Sequence, residues 1–282
     1  MEADSALAAS PAARPASQQA ARTRISARDL SKSFSFDNRE LLAVDRVSLD
    51  VSEGEFVALL GPSGCGKSTV LNIIAGLLPA TAGTVLIDDE PLTPGRFSPK
   101  LGYVFQRDTT YPWRTVSQNI GLGLEIAGVA RSQRGQRVRT AIENASLVGF
   151  ENAFPTMLSG GMRQRVSLMR TLVMEPEILL MDEPFGALDA HTKLDMHRML
   201  LEIWERQRQT VVFVTHDLSE ALTLSDRIVL MSARPGRVKD EFAIDFPRPR
   251  DAVRLRETPE YGALFSRVWH SLGEELSKTA SP

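Results

Sequence analysis

Apolar residues in this chain fall into short runs separated by glycine, proline and polar clusters. Residues 55–60, 178–183 and 210–215 are the most continuous of these runs and predict buried strands. Residues 84–88, 101–106, 227–231 and 237–244 predict further strands. Residues 25–30 and 41–51 also have strand content, with polar punctuation at Asp37-Asn38-Arg39-Glu40, and predict a small antiparallel sheet. Helices are predicted at 70–77, 117–128, 132–149, 159–174, 189–207, 218–224 and 258–278. In the last of these, Leu264, Val268, Leu272 and Leu276 recur at helical spacing. The expected class is α/β, with a small antiparallel β-subdomain and a helical subdomain at about 107–173.

Composition narrows this picture. At 282 residues the chain is long enough for one large domain with additions, and its apolar fraction supports a sizeable core. The formal net charge of −2 gives no electrostatic reason to expect nucleic acid as a partner. Cys65 is the only cysteine, so no internal disulfide is possible and the cytosol is the natural compartment. No apolar run approaches the ~18 residues of a membrane span, so a membrane role requires spans from another chain. Residues 1–24 are mostly Ala, Ser, Pro, Gln and Arg, without the apolar core of a signal peptide, and are expected to be a disordered tail. The main domain is expected over 25–246. Pro247-Arg248-Pro249-Arg250-Asp251 then breaks the chain, leaving a C-terminal extension to 282 that carries the last helix.

Between the run at 55–60 and the helix at 70–77 lies Gly61-Pro62-Ser63-Gly64-Cys65-Gly66-Lys67-Ser68-Thr69. It meets every fixed position of the phosphate-binding loop pattern, in the strand-to-helix context the pattern requires. Glycines let the backbone approach phosphates, and the first helical turn offers amides without internal partners. Lys67 is placed to reach the β- and γ-phosphates and Ser68 to face Mg²⁺. Cys65 reads either as a reactive thiol or as a small side chain filling a loop position.

Other positions carry chemistry only in combination. Gln106, at a strand's C-terminal end, could ligate Mg²⁺ or hold water, or be a plain loop residue. Asp182 and Glu183 end the run at 178–183; beside a phosphate loop, an aspartate there can hold Mg²⁺ and the next carboxylate can polarise an attacking water. His216, after the run at 210–215, can donate a hydrogen bond to a γ-phosphate or serve structure alone. Ser159, Gly160 and Gly161 open a helix and form a second anion-binding start, or an ordinary cap. One nucleotide needs one phosphate loop, so a second site points to a nucleotide held by a partner chain. Phe34 and Phe36 could stack on adenine or pack in the small sheet. Residues 108–116 read as a structured surface loop, the aromatics Tyr111 and Trp113 either facing a partner or packing inward. His191 and His197 are read as surface or packing residues.

Together and in this order, these motifs resemble those of ATP-binding cassette transporter ATPases over about residues 25–278. Within that family the chain is similar to importer ATPases of the nitrate/sulfonate/taurine group. Tyr111-Pro112-Trp113-Arg114-Thr115-Val116, residues 158–165, residues 181–189, Ser232-Ala233-Arg234-Pro235-Gly236-Arg237 and the Pro-Arg-Pro-Arg-Asp run carry that likeness. The resemblance implies ATP and Mg²⁺ as cofactors. Gly61 to Thr69 would hold the phosphates, with Ser68, Gln106 and Asp182 at Mg²⁺. Glu183 would be the catalytic base, His216 would contact the γ-phosphate, and Phe34, or failing that Phe36, would stack on adenine. Ser159, Gly160 and Gly161 would meet ATP held by the other subunit of a homodimer, with Asp189 at the seam.

The implied partners are transmembrane permease subunits, docked at 111–116, and indirectly a periplasmic or extracellular solute-binding protein. The implied location is the cytoplasmic face of the plasma (inner) membrane. Ser167-Leu168-Met169-Arg170-Thr171-Leu172 departs from the Ala-rich run usual in the family, and residues 34–41 are looser than its norm. A soluble cassette protein that regulates other machinery commonly has two cassettes or a coiled-coil insertion, and neither occurs here. The loop at 111–116 also argues against an exporter or a lipid-transport ATPase.

Overall fold

The computed structural model describes residues 22–36 and 39–280, without the side chains of Phe36, Thr279 and Ala280. Of the tail expected at 1–24, residues 1–21 lie outside the described residues, as does the alternative use of the Phe36 ring; Thr23 and Arg24 instead belong to the first strand, and Arg24 is buried. The buried runs form adjacent strands of one sheet. Its members are β3 (Phe56–Leu60), β6 (Leu101–Val104), β7 (Ile178–Asp182), β8 (Thr210–Thr215), β9 (Arg227–Met231) and β10 (Val238–Ala243). Their order is β10-β9-β3-β8-β7-β6, parallel throughout except for the antiparallel pair β9/β10.

Every residue of β3 is buried. Phe56, Ala58 and Leu60 enter one core with Trp204 and Phe213, while Val57 and Leu59 enter a second with Val70, Leu71 and Ile74. A strand covered on both faces has no solvent side, which is why these segments read as continuous apolar runs.

The second sheet is antiparallel, with order β2-β1-β4-β5. It comprises β1 (Thr23–Phe36), β2 (Arg39–Ser52), β4 (Ala82–Ile87) and β5 (Glu90–Pro91). Its inner residues, including Ile25, Val44, Leu49 and Val85, pack on the core around α1 (Lys67–Ile74). This brings β2 against the loop between β3 and α1.

The helical segment contains α2 (Val116–Ile120), α3 (Leu122–Ile126), α4 (Arg131–Asn144) and α5 (Gly160–Leu172). The single helix predicted at 117–128 is two short ones that meet at Gly121. A Cβ there would sit 3.1 Å from both the Ser117 carbonyl and Val138, so α4 packs closely against this junction. The helix predicted to 149 ends at Asn144, because Ser146 turns left-handed at φ 54°.

Then come α6 (Ala190–Gln207), α7 (Leu218–Leu224) and α8 (Pro259–Ala280). Val268 and Leu272 of α8 join the core of Phe56, so the packing continues across residue 247. Among the described residues no helix is long and apolar enough to cross a membrane.

Candidate functional site

The loop from Gly61 to Gly66 leaves the end of β3 and enters α1 with Gly66 at the N-cap, φ 107°. No side chain caps the helix, which leaves its first-turn amides available to an anion. Gly66 is required twice over: it is left-handed, and a Cβ would lie 2.9 Å from Val44 and 3.0 Å from the Ala43 carbonyl. Lys67 is buried, and its Nζ donates to the carbonyls of Gly61 (2.8 Å) and Pro62 (2.9 Å). The ammonium is thus held within the loop. Cys65 is buried, and burial pushes its thiol up from the ordinary value, which fits the filling role and not a reactive thiolate.

Strand order assembles the rest. β6, β7 and β8 are neighbours, so the loops after their C-terminal ends emerge in a row. Gln106 follows β6, Glu183 follows β7 and His216 follows β8. Gln106 Nε2 donates to Glu183 Oε2 at 3.1 Å, and His216 Nδ1 lies 3.0 Å from the same oxygen. A carboxylate only accepts, so the hydrogen between His216 and Glu183 belongs to the ring. Glu183 itself is left-handed, φ 41°, with its amide donating to the Val214 carbonyl at 3.0 Å. Such a conformation in a non-glycine residue persists where the surroundings enforce it.

Beside this trio, Ser68 Oγ donates to Asp182 Oδ1 at 2.7 Å. Burial pushes the Asp182 carboxyl up; the Ser68 hydrogen bond opposes this and the charge of Glu183 adds to it. A hydroxyl and a carboxylate that meet here are the oxygen donors Mg²⁺ takes. Among the described residues no cluster of three or more His, Cys, Asp or Glu side chains could hold a metal alone. The donor set therefore fits a cation that completes its shell with phosphate oxygens and water.

A cavity of about 230 Å³ opens over the loop, lined by Phe34, Leu41, Ala43, Gly64, Gly66, Lys67, Ser68, Thr69, Glu183 and Arg234. Phe34 is half-buried, packs on the second core, and has Lys32 Nζ 5.3 Å from its ring centre. It lies where a base above the loop would reach it while also serving the sheet. Arg234 escaped the sequence reading as a site residue. Its only signal was a place in the Ser232-to-Arg237 run.

The helix start at Ser159, Gly160 and Gly161 stands apart. Ser159 caps α5, accepting from the Met162 amide at 3.3 Å. Gly161 packs on α6: a Cβ there would lie 2.6 Å from Thr192 Cγ2. Asp189 caps α6, accepting from the amides of Thr192 (3.0 Å) and His191 (3.1 Å); the Thr192 amide first, and then the Thr192 hydroxyl at 2.7 Å, hold its carboxyl below the ordinary range. None of Ser159, Gly160, Gly161 or Asp189 lines the cavity over their own chain's phosphate loop. His191 is exposed and His197 is buried, edge-on to Phe185. Tyr111 and Trp113 stack at 5.2 Å and face outward, Trp113 being 70% exposed. Asn119 braces that loop by accepting from the Tyr111 amide and donating to the carbonyls of Tyr111, Arg114 and Thr115.

A family model described as ABC transporter matches residues 44–186, from the strand beside the loop to the turn after Glu183. The chain belongs to the ABC transporter family. An ATP-binding protein of Brucella abortus is 47% identical to the cassette over 240 residues, covering 84% of this chain and 90% of that one. The taurine import ATP-binding protein TauB of Rhizobium johnstonii is 46% identical over 235 residues, 82% of this chain and 88% of that one. The aliphatic sulfonates import ATP-binding protein SsuB of Bacillus cereus is 43% identical over 221 residues, 78% and 86% respectively. A solved dimer of the ATP-binding cassette MJ0796 in a post-hydrolysis state, bound to ADP and Pi, superimposes with a TM-score of 0.70 at 32% identity. It covers 79% of this chain and 100% of that one. The cassette is an ABC-type ATPase.

Proposed function

We propose that the cassette is the ATP-hydrolysing subunit of an importer for a small solute such as nitrate, an aliphatic sulfonate or taurine. The observation that carries the hydrolytic reading is the shared oxygen of Glu183, held by Gln106 and His216 beside the phosphate-loop cavity. Glu183 accepts a proton from the attacking water, Gln106 orients that water, and His216 contacts the γ-phosphate. Lys67 turns from its loop carbonyls to the β- and γ-phosphates, and Phe34 stacks on adenine. Ser68, Asp182 and Gln106 would hold Mg²⁺, which when bound neutralises charge on the phosphates.

The solute class follows the names of the taurine and sulfonate import relatives. The two-chain reading rests on the helix start at Ser159, Gly160 and Gly161, which does not line the cavity of its own chain. In a homodimer it closes over the partner's nucleotide, with Asp189 at the seam. In this reading the outward Tyr111–Trp113 pair receives a segment of a permease subunit, with the cassette peripheral on the cytoplasmic side of the membrane. A solute-binding protein meets the permease and not the cassette. The helical subdomain at about 107–173 carries both the Tyr111–Trp113 pair and Ser159, so closing the dimer moves the docked permease.

The test is ATP hydrolysis by the wild type and by Glu183→Gln, with dimerisation in ATP followed by size-exclusion chromatography. Loss of about 10²–10⁴-fold in turnover with an ATP-stabilised dimer is expected. Wild-type turnover in the variant would remove Glu183 from its role.

A further inference from the structure

The turn after β9 brings a cation to the nucleotide cavity that none of the roles above uses. After Met231 the chain reverses through Ser232, Ala233, Arg234, Pro235 and Gly236 before β10. Gly236 is pressed against the phosphate loop: a Cβ there would lie 2.0 Å from the Cys65 carbonyl oxygen. Its amide donates to the Ala43 carbonyl at 3.0 Å, and its own carbonyl accepts from the Asp45 amide at 2.9 Å. The Ser232 hydroxyl donates to the Pro235 carbonyl at 3.2 Å and accepts from the Arg237 amide at 3.0 Å. The turn is therefore fixed between β2 and the phosphate loop.

Arg234 lines the cavity with Phe34, Gly64, Lys67 and Ser68. Its Nε (3.2 Å) and Nη2 (2.9 Å) both donate to one neutral acceptor, the Gly64 carbonyl. Nη1 has no hydrogen bond among the described residues. Donors of a guanidinium gain more from a phosphate oxygen than from a carbonyl, because the bond is then charge-assisted on both sides.

Behind the turn stands Glu275 of α8, which is buried. Its Oε2 accepts from the Ala233 amide at 2.9 Å, the residue before Arg234. Lys278 Nζ (2.6 Å) and Lys239 Nζ (3.2 Å) flank its Oε1. Burial raises this carboxyl, but the bonds from Lys278, the Ala233 amide and Lys239 outweigh it and hold the group below the ordinary range.

We propose that Arg234 is a nucleotide-binding residue that closes on the phosphate chain of ATP or ADP, and that Glu275 of α8 is the residue that positions it. The proposal rests on the reading that the nucleotide occupies the phosphate loop. It gives the C-terminal helix a defined task, to hold the Arg234 turn at the nucleotide.

The test measures equilibrium binding of ADP, and KM and kcat for ATP, on the full chain carrying Arg234→Ala, Arg234→Lys, Glu275→Ala, the Arg234→Ala/Glu275→Ala pair, or Lys67→Ala as control. Arg234→Ala should weaken ADP binding and raise KM by about tenfold with kcat within about twofold, as expected for loss of one charge-assisted contact. Arg234→Lys should recover part of the affinity, since the charge remains. Glu275→Ala should weaken binding by about threefold alone and add nothing to Arg234→Ala, because both act through one contact.

If Lys67→Ala lost ADP while Arg234→Ala bound like wild type, the role of Arg234 would be overturned and the phosphate-loop reading kept. If Lys67→Ala also bound like wild type, that reading fails and the proposal falls with it. A lowered melting temperature in Arg234→Ala with no recovery in Arg234→Lys would mark a purely structural arginine. Additive losses in the double variant would remove Glu275 as the positioning residue.

Discussion

Glu183 and His216, 33 residues apart in the chain, meet through a 3.0 Å contact between Oε2 and Nδ1. Gln106 Nε2 reaches the same oxygen. One carboxylate oxygen thus ties together the loops after three adjacent strands. If the three act as one unit, their losses do not multiply. His216→Ala should lower turnover by about 10²-fold or more with ADP affinity unchanged, and the Glu183→Gln/His216→Ala pair should be no slower than Glu183→Gln. Steady-state rates of the three variants check this; a further full loss in the pair would show independent roles.

Gly161 of α5 packs directly on Thr192 of α6. Gly161→Ala drives a Cβ to 2.6 Å from Thr192 Cγ2. Alanine in a helix gains up to about 1 kcal/mol over glycine, but overpacking costs about 1–3 kcal/mol, so net destabilisation is expected. Thr192→Ser removes the clashing methyl and keeps the hydroxyl that donates to Asp189. Urea unfolding should find Gly161→Ala less stable than wild type and Gly161→Ala/Thr192→Ser restored.

Arg250 lies inside the protein, although the Pro-Arg-Pro-Arg-Asp run that carries it is irregular chain. Its Nη1 donates to the Ser225 carbonyl at 2.6 Å, just past the end of α7, and Nη2 to the Ile244 carbonyl at 3.1 Å. Burial brings its guanidinium down to about 10, with the charge of Arg248 adding. It remains charged at neutral pH. Arg250→Ala leaves these carbonyls without their donor and should cost about 3 kcal/mol. Denaturant midpoints of wild type and variant measure this.

His197 gives the protein an acid-side weakness. Its ring is buried, neither nitrogen has a hydrogen-bond partner among the described residues, and Glu220, Lys193, Asp217 and Arg256 surround it. Burial, with Arg256 adding, brings it down from 6.5 to about 4. A depressed group contributes stability that is present above 6.5 and lost as pH falls towards 4, because only the unfolded chain takes up the proton in that window. The gap corresponds to at most about 3 kcal/mol. The Glu220 carboxyl, pushed up by burial, titrates with the opposite sign, so the comparison must be between variants. His197→Leu should lose less stability than wild type between pH 6.5 and pH 4, as read by denaturant unfolding at each pH.

The phosphate loop was legible because its function is local: strand, glycines, lysine and helix start are consecutive in the chain. The strands at 210–215 and 227–231 and the helix at 218–224 were legible to the residue, since strands buried on both faces read as continuous apolar runs and bound the helix between them. The division at Gly121 was not: the junction lies against Val138 of α4, a separate segment of the chain.

By itself, then, the sequence determined the α/β class, the phosphate loop and the order of the motifs that mark an ABC ATPase. Each is set by neighbouring residues and by hydrophobic period. Only the tertiary structure decided that Gln106, Glu183 and His216 share one oxygen, since that follows from β7 lying between β6 and β8. It alone turned Arg250 inward, and it alone brought Arg234 to Gly64, 170 residues away. Such contacts are made by the register of parallel strands and by packing between distant segments. Neither leaves a periodic trace in the chain.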